Sequence, residues 1–536
     1  MGLHKLGDAA WIFKSALGDG QRSLDLVLRL LKLLQKHPIP EIVDIVSSYD
    51  TIAVHFHPSH GDIVFNHLTA LNLDDAPDQG SCQGRCVSIP VVYGGARGPD
   101  LQALASSTHL SNQEIIQLHS ETEYTVAAIG FSPGFPYLAG LPKPLHCPRH
   151  ATPRQVAAGS VAIASDQAGV YPMASQGGWH VLGRTNHCLF DPKREDPSLL
   201  KPGDKIRFEA VEHLDFDDAP PTDADQPEGS IKVLDPGPLT SIQDHGRYGR
   251  QHIGVSPGGA ADPISATVAN RLVGNPDDAA VLECTMMGPK LQFDEVTRIA
   301  WVGWSNSASG KPLDVKAGTR IDLSGRTTHL RGYIAVAGGI EVPKIMGSRA
   351  TDIRAGFGGH HGRALRAGDS LHIGQAPSGP VSGSWHVAWP KPKGYLIELR
   401  FLRGMQADWF SKESYAAFTR NFYQISPASD RMGARLQGAK LNLVEPREMV
   451  SQAVVYGSIQ VPPDGQPTVL MSERQTIGGY PQIGHVISAD LPDLARAWPG
   501  TQIHFHEVTL DEARDAWFNL ERDLGFLQAG LSLVKE

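Results

Sequence analysis

The chain has 536 residues, 41% hydrophobic and 20% charged, with a net charge of −9. That length allows about two to four domains of roughly 100–200 residues, and the composition is that of a globular protein. Mild acidity excludes the basic footprint of a nucleic-acid binder, no apolar run reaches the ~18 residues of a membrane span, and five scattered cysteines exclude a disulfide framework.

The N-terminal stretch MGLHKLGDAAWIFKSALGDG lacks a basic region followed by an uninterrupted apolar run, so no signal peptide is expected. With so few cysteines, a reducing cytoplasmic location is expected. SLDLVLRLLKLLQKH, residues 23–37, places leucines along one helical face and stops before Pro38, which predicts a helix packed on a sheet. EIVDIVSSYDTIAVHFHP reads as two strands joined by a turn over residues 47–50. Cys82 and Cys86 have no second pair nearby, so no zinc site is expected there. SNQEIIQLHS opens with a capping box, Ser111 with Glu114 three residues later.

GFSPGFPYLAGLP, residues 130–142, combines glycine, proline and aromatic residues. Glycine opens unusual backbone angles and proline fixes others, so one shaped loop is specified. Phe131, Phe135 and Tyr137 then either brace a core or wall a ligand pocket. Farther on, GGWHVLGRT carries His180 beside Trp179, with Arg184 four residues later. Histidine is the most frequent acid–base side chain, although a lone one is more often structural.

DFDDAPPTDADQPEGS, residues 215–230, has no aliphatic residue beyond alanine and reads as a linker. The boundaries expected are a first domain over 1–212, a linker over 213–229 and a second domain over 230–536. After it, SIQDHGRYGRQHIGVSPGGAADP sets Gln243, Asp244, Arg247, Gln251 and His252 among glycines. Asp262 is placed as an N-cap with Pro263 at the first helical position and Gly274 as the stop. The Gly258-Gly259 turn could present N–H groups to an anion, or Asp262 could satisfy those donors itself. MSERQTIGGYPQIGHV sets Arg474, Gln475 and Thr476 before a diglycine, and Arg474 suits a carboxylate-like anion or an acidic neighbour.

Elements recur across the linker. KPGDKIRF, RAGDSLHI and WPGTQIHF each feed a Gly turn into an alternating strand, and GGWHVLGRT echoes GGYPQIGHV. Related β-rich modules are expected, closed or sandwich-like. There is no P-loop, since GWSNSASGKP lacks the first glycine and has Pro312 for the hydroxyl residue. There is no G-x-S-x-G elbow. His55/His57 and His504/His506 read as surface histidines without a third ligand, and no metal set is expected.

With these motifs laid out, residues up to about 210 resemble the allophanate hydrolase subunit 1 family, also known as the B subunit of 5-oxoprolinase, through GFSPGFPYLAGLP, PRHATPRQVAAGSVAIA and GGWHVLGRT. Residues from about 230 resemble the subunit 2 family, the C subunit of 5-oxoprolinase, akin to biotin-dependent carboxyltransferases, through SIQDHGRYGRQHIGVSPGGAAD, YIAVAGGIEVPKIMGSRATDIRAGFGG, SDRMGARLQG and ERQTIGGYPQIGHVISADLP. The resemblance implies a β-rich α+β fold of tandem cyclophilin-like barrels with peripheral helices. It implies a component of an ATP-dependent 5-oxoprolinase, working on a small lactam or amide with a separate protein like the A subunit of that enzyme. ATP with magnesium would bind on this chain or on that partner. The alternatives are the carboxyltransferase part of a urea or amide carboxylase, with biotin on another chain because no Met-Lys-Met site occurs here, and a kinase-inhibiting regulator. No nucleic-acid or membrane partner is implied, and a homo-oligomer stays open.

The same resemblance places proton transfer at His180 or Asp244 and anion binding at Arg474, Arg184 and Arg247. It places substrate contacts at Phe135, Tyr137, Gln243, Asp262, Gln475 and Tyr480, with Gly178, Gly258, Gly478 and Gly479 letting backbone approach the ligand. Glu473, Ile477 and Gln482 stand where the family has Asp, Thr and a basic residue, and Asn186-His187 stands where a proline is usual. Losing a cation at Gln482 weakens an anion site there.

Overall fold

The computed structural model describes residues 2–17, 20–72, 75–76, 84–150, 152–216, 229–376, 386–389, 394–447 and 449–533. Most of the expected linker and Cys82 lie outside the described residues. Near the N-terminus, four antiparallel strands run in the spatial order Gly2–Lys5, Ala10–Lys14, Thr51–Phe56, Ile42–Ser47. The helix Gln21–Lys36 lays Val27, Leu30, Leu31 and Leu34 against Trp11, Phe13 and Ile52 of that sheet. The turn over residues 47–50 and the Ser111/Glu114 capping box form as expected.

Two closed barrels of seven strands follow. The first is built from Cys86–Tyr93, Glu123–Ile129, Pro136–Ala139, Ser160–Ala164, Gln167–Val170, His180–Arg184 and Lys205–Ala210. The second is built from Leu396–Arg403, Tyr423–Ile425, Gly433–Gln437, Ser458–Gln460, Thr468–Leu470, Gln482–Val486 and Gln502–Glu507. Numbered along the chain, both close in the same cyclic order, first-sixth-fourth-fifth-third-second-seventh. In both, the first and seventh strands pair in parallel, and the sixth and fourth pair across a register shift.

The sequence echoes therefore mark equivalent places. KPGDKIRF and WPGTQIHF enter the seventh strands, burying Ile206 and Phe208, then Ile503 and Phe505. GGWHVLG and GGYPQIG enter the sixth. Their last glycine is required by close approach. A Cβ on Gly183 would lie 2.6 Å from Val91 Cγ1, and one on Gly484 2.5 Å from Phe401 Cδ2, both on the first strands. RAGDSLHI differs, because its strand Ser370–Ile373 belongs to an open sheet.

That sheet is one of two five-stranded sheets over residues 231–373, which share a core of Val233, Phe293 and Leu371 with Leu282, Trp301 and Ile334. The helix Pro263–Val273 packs outside, capped as expected by Asp262 and stopped by Gly274 at φ 82°. A 24-residue helix, Leu510–Leu533, which the sequence patterns above do not single out, contacts both the N-terminal region and the helix Pro263–Val273. Its Arg514 pairs with Asp62 at 2.6 Å, and Arg271 Nη1 donates to its Leu524 carbonyl at 2.6 Å. No described helix is long and apolar enough to cross a membrane. His55, expected at the surface, is buried at 6% exposure because its strand is covered on both faces.

Candidate functional site

The two halves meet through the stretch GFSPGFPYLAGLP. A Cβ on Gly130 would strike the Ile477 side chain at 2.7 Å, and one on Gly254 would strike the Ser132 carbonyl at 2.4 Å. Gly134 N–H donates to Ile253 O at 2.9 Å. Phe135, Tyr137, Tyr171 and Trp179 form an edge-to-face cluster with ring centroids 5.1–6.1 Å apart, packed against Ala453, Val455 and Ile477 of the second half. Phe135 and Tyr137 are thus core residues. Phe131 stands above them, its ring 5.4 Å from Phe135, with a left-handed φ of 64°. Such strain in a non-glycine residue persists only where surroundings impose it, and it concentrates at functional sites.

Phe131, Ser132 and Pro133 wall a narrow cleft that opens to solvent and whose enclosed part is about 20 Å3, completed by Ser256, Asp352, Arg354, Glu473, Arg474 and Gln475. Its far wall is two loops bonded together. Gly258 N–H and the Ser256 hydroxyl both donate to Ser472 O, at 3.2 and 2.8 Å. Arg354 lies over the Phe131 ring, 5.5 Å from its centroid. Arg474 donates to Gln251 Oε1 at 2.8 Å, while its Nε has no hydrogen-bond partner among the described residues. Burial pushes Arg474 down to about 10, still a cation at neutral pH. Arg247, behind this wall and 1% exposed, donates one bond to Ala350 O and keeps Nε and Nη1 without partners among the described residues. Glu473, by contrast, is held by Arg431 at 2.6 Å, and Arg431 also pairs with Glu283.

Unsatisfied amides continue inward from the cleft. Gln475 Nε2 approaches Gln460 Oε1 at 3.4 Å, and Gln406 Nε2 approaches Gln452 Oε1 at 3.4 Å. Gln460 Nε2, Gln452 Nε2 and both polar atoms of Gln482 are buried without partners among the described residues. Buried polar groups are nearly always bonded, so this end of the second barrel suits a ligand or water with donors and acceptors of its own. A larger hollow of about 270 Å3 beside Arg326, Trp498 and Arg496 is chemically quieter. There Arg496 is paired with Asp262 and Asp493, and Arg326 stacks on Trp498 at 4.1 Å.

The structure brings only part of the expected residues to the cleft. Arg474 and Gln475 line it, and Gly258 and Arg247 support its wall. Asp244 is spent holding loops: it accepts from Gly246 N–H, the Ser348 hydroxyl and Arg349 N–H at 2.6–2.7 Å. Gln243 is wholly buried and donates to Ser241 Oγ and Thr351 O. Asp262 accepts from the Ile264 and Ser265 N–H groups and pairs with Arg496, so its oxygens are already engaged, while the Gly258 N–H is met by Ser472 O instead of by Asp262. Gly478 abuts the Gln460 amide, a Cβ on Gly479 would lie 3.2 Å from Ser451 Oγ, and Tyr480 is exposed. In the first barrel, Gly178 adjoins His150, and Arg184 donates to Ala158 O at 2.7 Å. His180 donates to Pro148 O, and burial holds it below the ordinary imidazole value. Sequence reasoning missed Ser256, Asp352 and Arg354. Arg354 sits in the glycine-rich run RATDIRAGFGG, whose glycines were the available signal.

Comparison with known proteins gives concordant matches. Residues 1–200 match the family model described as carboxyltransferase domain, subdomain C and D, and residues 253–507 that described as subdomain A and B. Over 296 residues the chain is 39% identical to the C subunit of 5-oxoprolinase from Escherichia coli (strain K12), covering 53% of this chain and 94% of that protein. It is 31% identical over 229 residues to the B subunit of 5-oxoprolinase from Bacillus subtilis (strain 168), covering 40% of this chain and 94% of that protein. The urea amidolyase of Lachancea kluyveri is 30% identical over 315 residues, 53% of this chain and 17% of that protein. The crystal structure of TTHA0988 superposes with a TM-score of 0.81 at 33% identity, covering 93% of this chain and 99% of that one.

Proposed function

Because the chain belongs to the carboxyltransferase-domain family that includes the B and C subunits of 5-oxoprolinase, and joins both parts in one polypeptide, we propose that it is a component of an ATP-dependent 5-oxoprolinase that opens 5-oxoproline to glutamate. The observation that carries this reading is the interface cleft. A lactam acid presents a carboxylate, an amide and a short apolar edge. Arg474 and Arg354 offer cations to the carboxylate. Gln475 and the unsatisfied glutamines behind it offer donors and acceptors to the amide. The Phe131 ring covers the methylenes. Family resemblance and site chemistry support one substrate class.

Water does not open an unactivated amide readily, and ATP with magnesium would supply a phosphoryl group for activation. The partnerless N–H groups of Arg474 and Arg247 fit a phosphoryl oxygen as well as a carboxylate. On this reading the chain positions and neutralises the anion, while a separate protein like the A subunit of 5-oxoprolinase completes the reaction. Arg474→Ala is expected to abolish glutamate release, by more than about 100-fold for loss of a buried charged donor, with the folded far-UV circular dichroism retained. Unchanged turnover would remove Arg474, and with it the cleft, from the chemistry.

The second reading, carboxyl transfer from biotin on another chain, rests on the descriptions of both family models and on the similarity to urea amidolyase. The same cleft would then hold a carboxylated amide.

A further inference from the structure

Three side chains from distant parts of the first half meet away from the cleft. Asp100 stands at the start of the helix Leu101–Thr108, yet its side chain makes no cap bond there. It turns to the barrel, where Oδ2 accepts the Val181 N–H at 2.7 Å and pairs with the Arg154 guanidinium. Oδ1 faces His150 Nε2 at 3.6 Å. His150 is anchored by its backbone N–H, which donates to Gly178 O at 2.8 Å. Its ring centroid lies 3.9 Å from that of His180. His180 Nε2 donates to Pro148 O at 2.8 Å. A carbonyl only accepts, so in the neutral ring Nδ1 carries the free lone pair. His150 Nε2 and His180 Nδ1 are both buried and have no hydrogen-bond partner among the described residues. One ligand atom from each of the three residues falls within 4.8 Å of the other two.

We infer that Asp100, His150 and His180 bind a divalent transition-metal ion of the zinc class through Oδ1, Nε2 and Nδ1. Two imidazoles and one carboxylate are ligands that zinc(II) and cobalt(II) accept, and three protein ligands leave a position open to water or a small molecule. The outer contacts are those a metal site uses: Pro148 O fixes the tautomer of one ligand, and Arg154 with the Val181 N–H orients the carboxylate. A bound cation would engage both partnerless nitrogens at once. A bare ion pair between Asp100 and a protonated His150 would leave His180 Nδ1 unmet.

The test is a titration of the metal-stripped full-length chain with cobalt(II), read by absorption, and with zinc(II), read by calorimetry. One equivalent is expected to bind with micromolar or tighter affinity and to give the intense visible bands of low-coordinate cobalt. His150→Ala and His180→Ala should each weaken that equivalent by about a hundredfold or more, since outer contacts alone contribute 10–100-fold, with circular dichroism unchanged. The chain has 23 histidines, so uptake that survives both substitutions belongs elsewhere and overturns the assignment. Failure of the unaltered chain to take up either ion at micromolar concentration overturns it too. His150→Gln, at a loop position, carries the same expectation should an alanine variant not fold.

Discussion

Among single residues, burial decides which candidates are free to act. Asp244 and Asp262 look like acids in the sequence, but every neighbouring donor already claims them. Arg474 looks like one arginine among many, yet it is buried with a donor unmet. Burial also sets a pH response. His119 is fully buried beside Phe208, and desolvation pushes it down to about 3. An unfolded histidine titrates near 6.5, so below that value the unfolded chain takes up a proton that the native chain refuses. Its contribution is complete above about pH 6.5 and is lost as pH falls toward the native value, at most about 1.4 kcal/mol per pH unit. His119→Gln should therefore reduce the proton uptake of unfolding between pH 6.5 and 4 by up to one. Denaturant titrations at stepped pH measure this, and an unchanged pH slope would contradict it.

Residue identity was legible only where the chain carries its own context. The capping box at Ser111 and the cap at Asp262 were readable because a cap and its helix are adjacent in sequence. In GFSPGFPYLAGLP the aromatics were visible, but not that Phe131 faces the cleft while Phe135 and Tyr137 sink into the core. That division depends on Ile253 and Ile477 pressing from the other half. Arg354 escaped notice because its partner ring at Phe131 lies far away in the chain. The Asp100, His150 and His180 cluster has no metal-binding spacing, since a helix start, a loop and a barrel strand supply one ligand atom each.

Among elements, the fold repeats a plan. Alternating strands after Gly turns revealed the seventh strand of each barrel, and the diglycine echoes revealed the sixth. RAGDSLHI fitted the same pattern but joined an open sheet, because the local pattern of an alternating strand does not say what it pairs with. The helix Pro263–Val273 shows how an end signal is built into the core. Asp262 caps the Ile264 and Ser265 N–H groups and neutralises the buried Arg496 at 2.8 Å. Asp262→Ala should cost about 3 kcal/mol or more, combining a lost cap of about 1 kcal/mol with a weakened buried ion pair. Equilibrium unfolding measures it, and a loss under about 0.5 kcal/mol, the range of neutral surface changes, would contradict this role.

Across the molecule, the N-terminal sheet and its first turn reach over to the second half. Asp44 in the N-terminal sheet accepts from the Gln251 N–H and pairs with His252 at 2.8 Å, and Asp8 accepts from Ser488 at 2.8 Å. The cleft draws its aromatic wall from one half and its cations from the other. Joining both halves in one polypeptide holds those walls together without the entropy cost of bringing two chains together. If the joined chain is one obligate part of a 5-oxoprolinase, its activity should depend on a second protein. Glutamate release and ATP hydrolysis from 5-oxoproline decide this, compared for this chain alone, for a protein like the A subunit of 5-oxoprolinase alone, and for the two mixed. Stoichiometric glutamate and ADP are expected only in the mixture. No turnover in the mixture, with carboxyl transfer from a biotinylated carrier instead, would contradict the assignment.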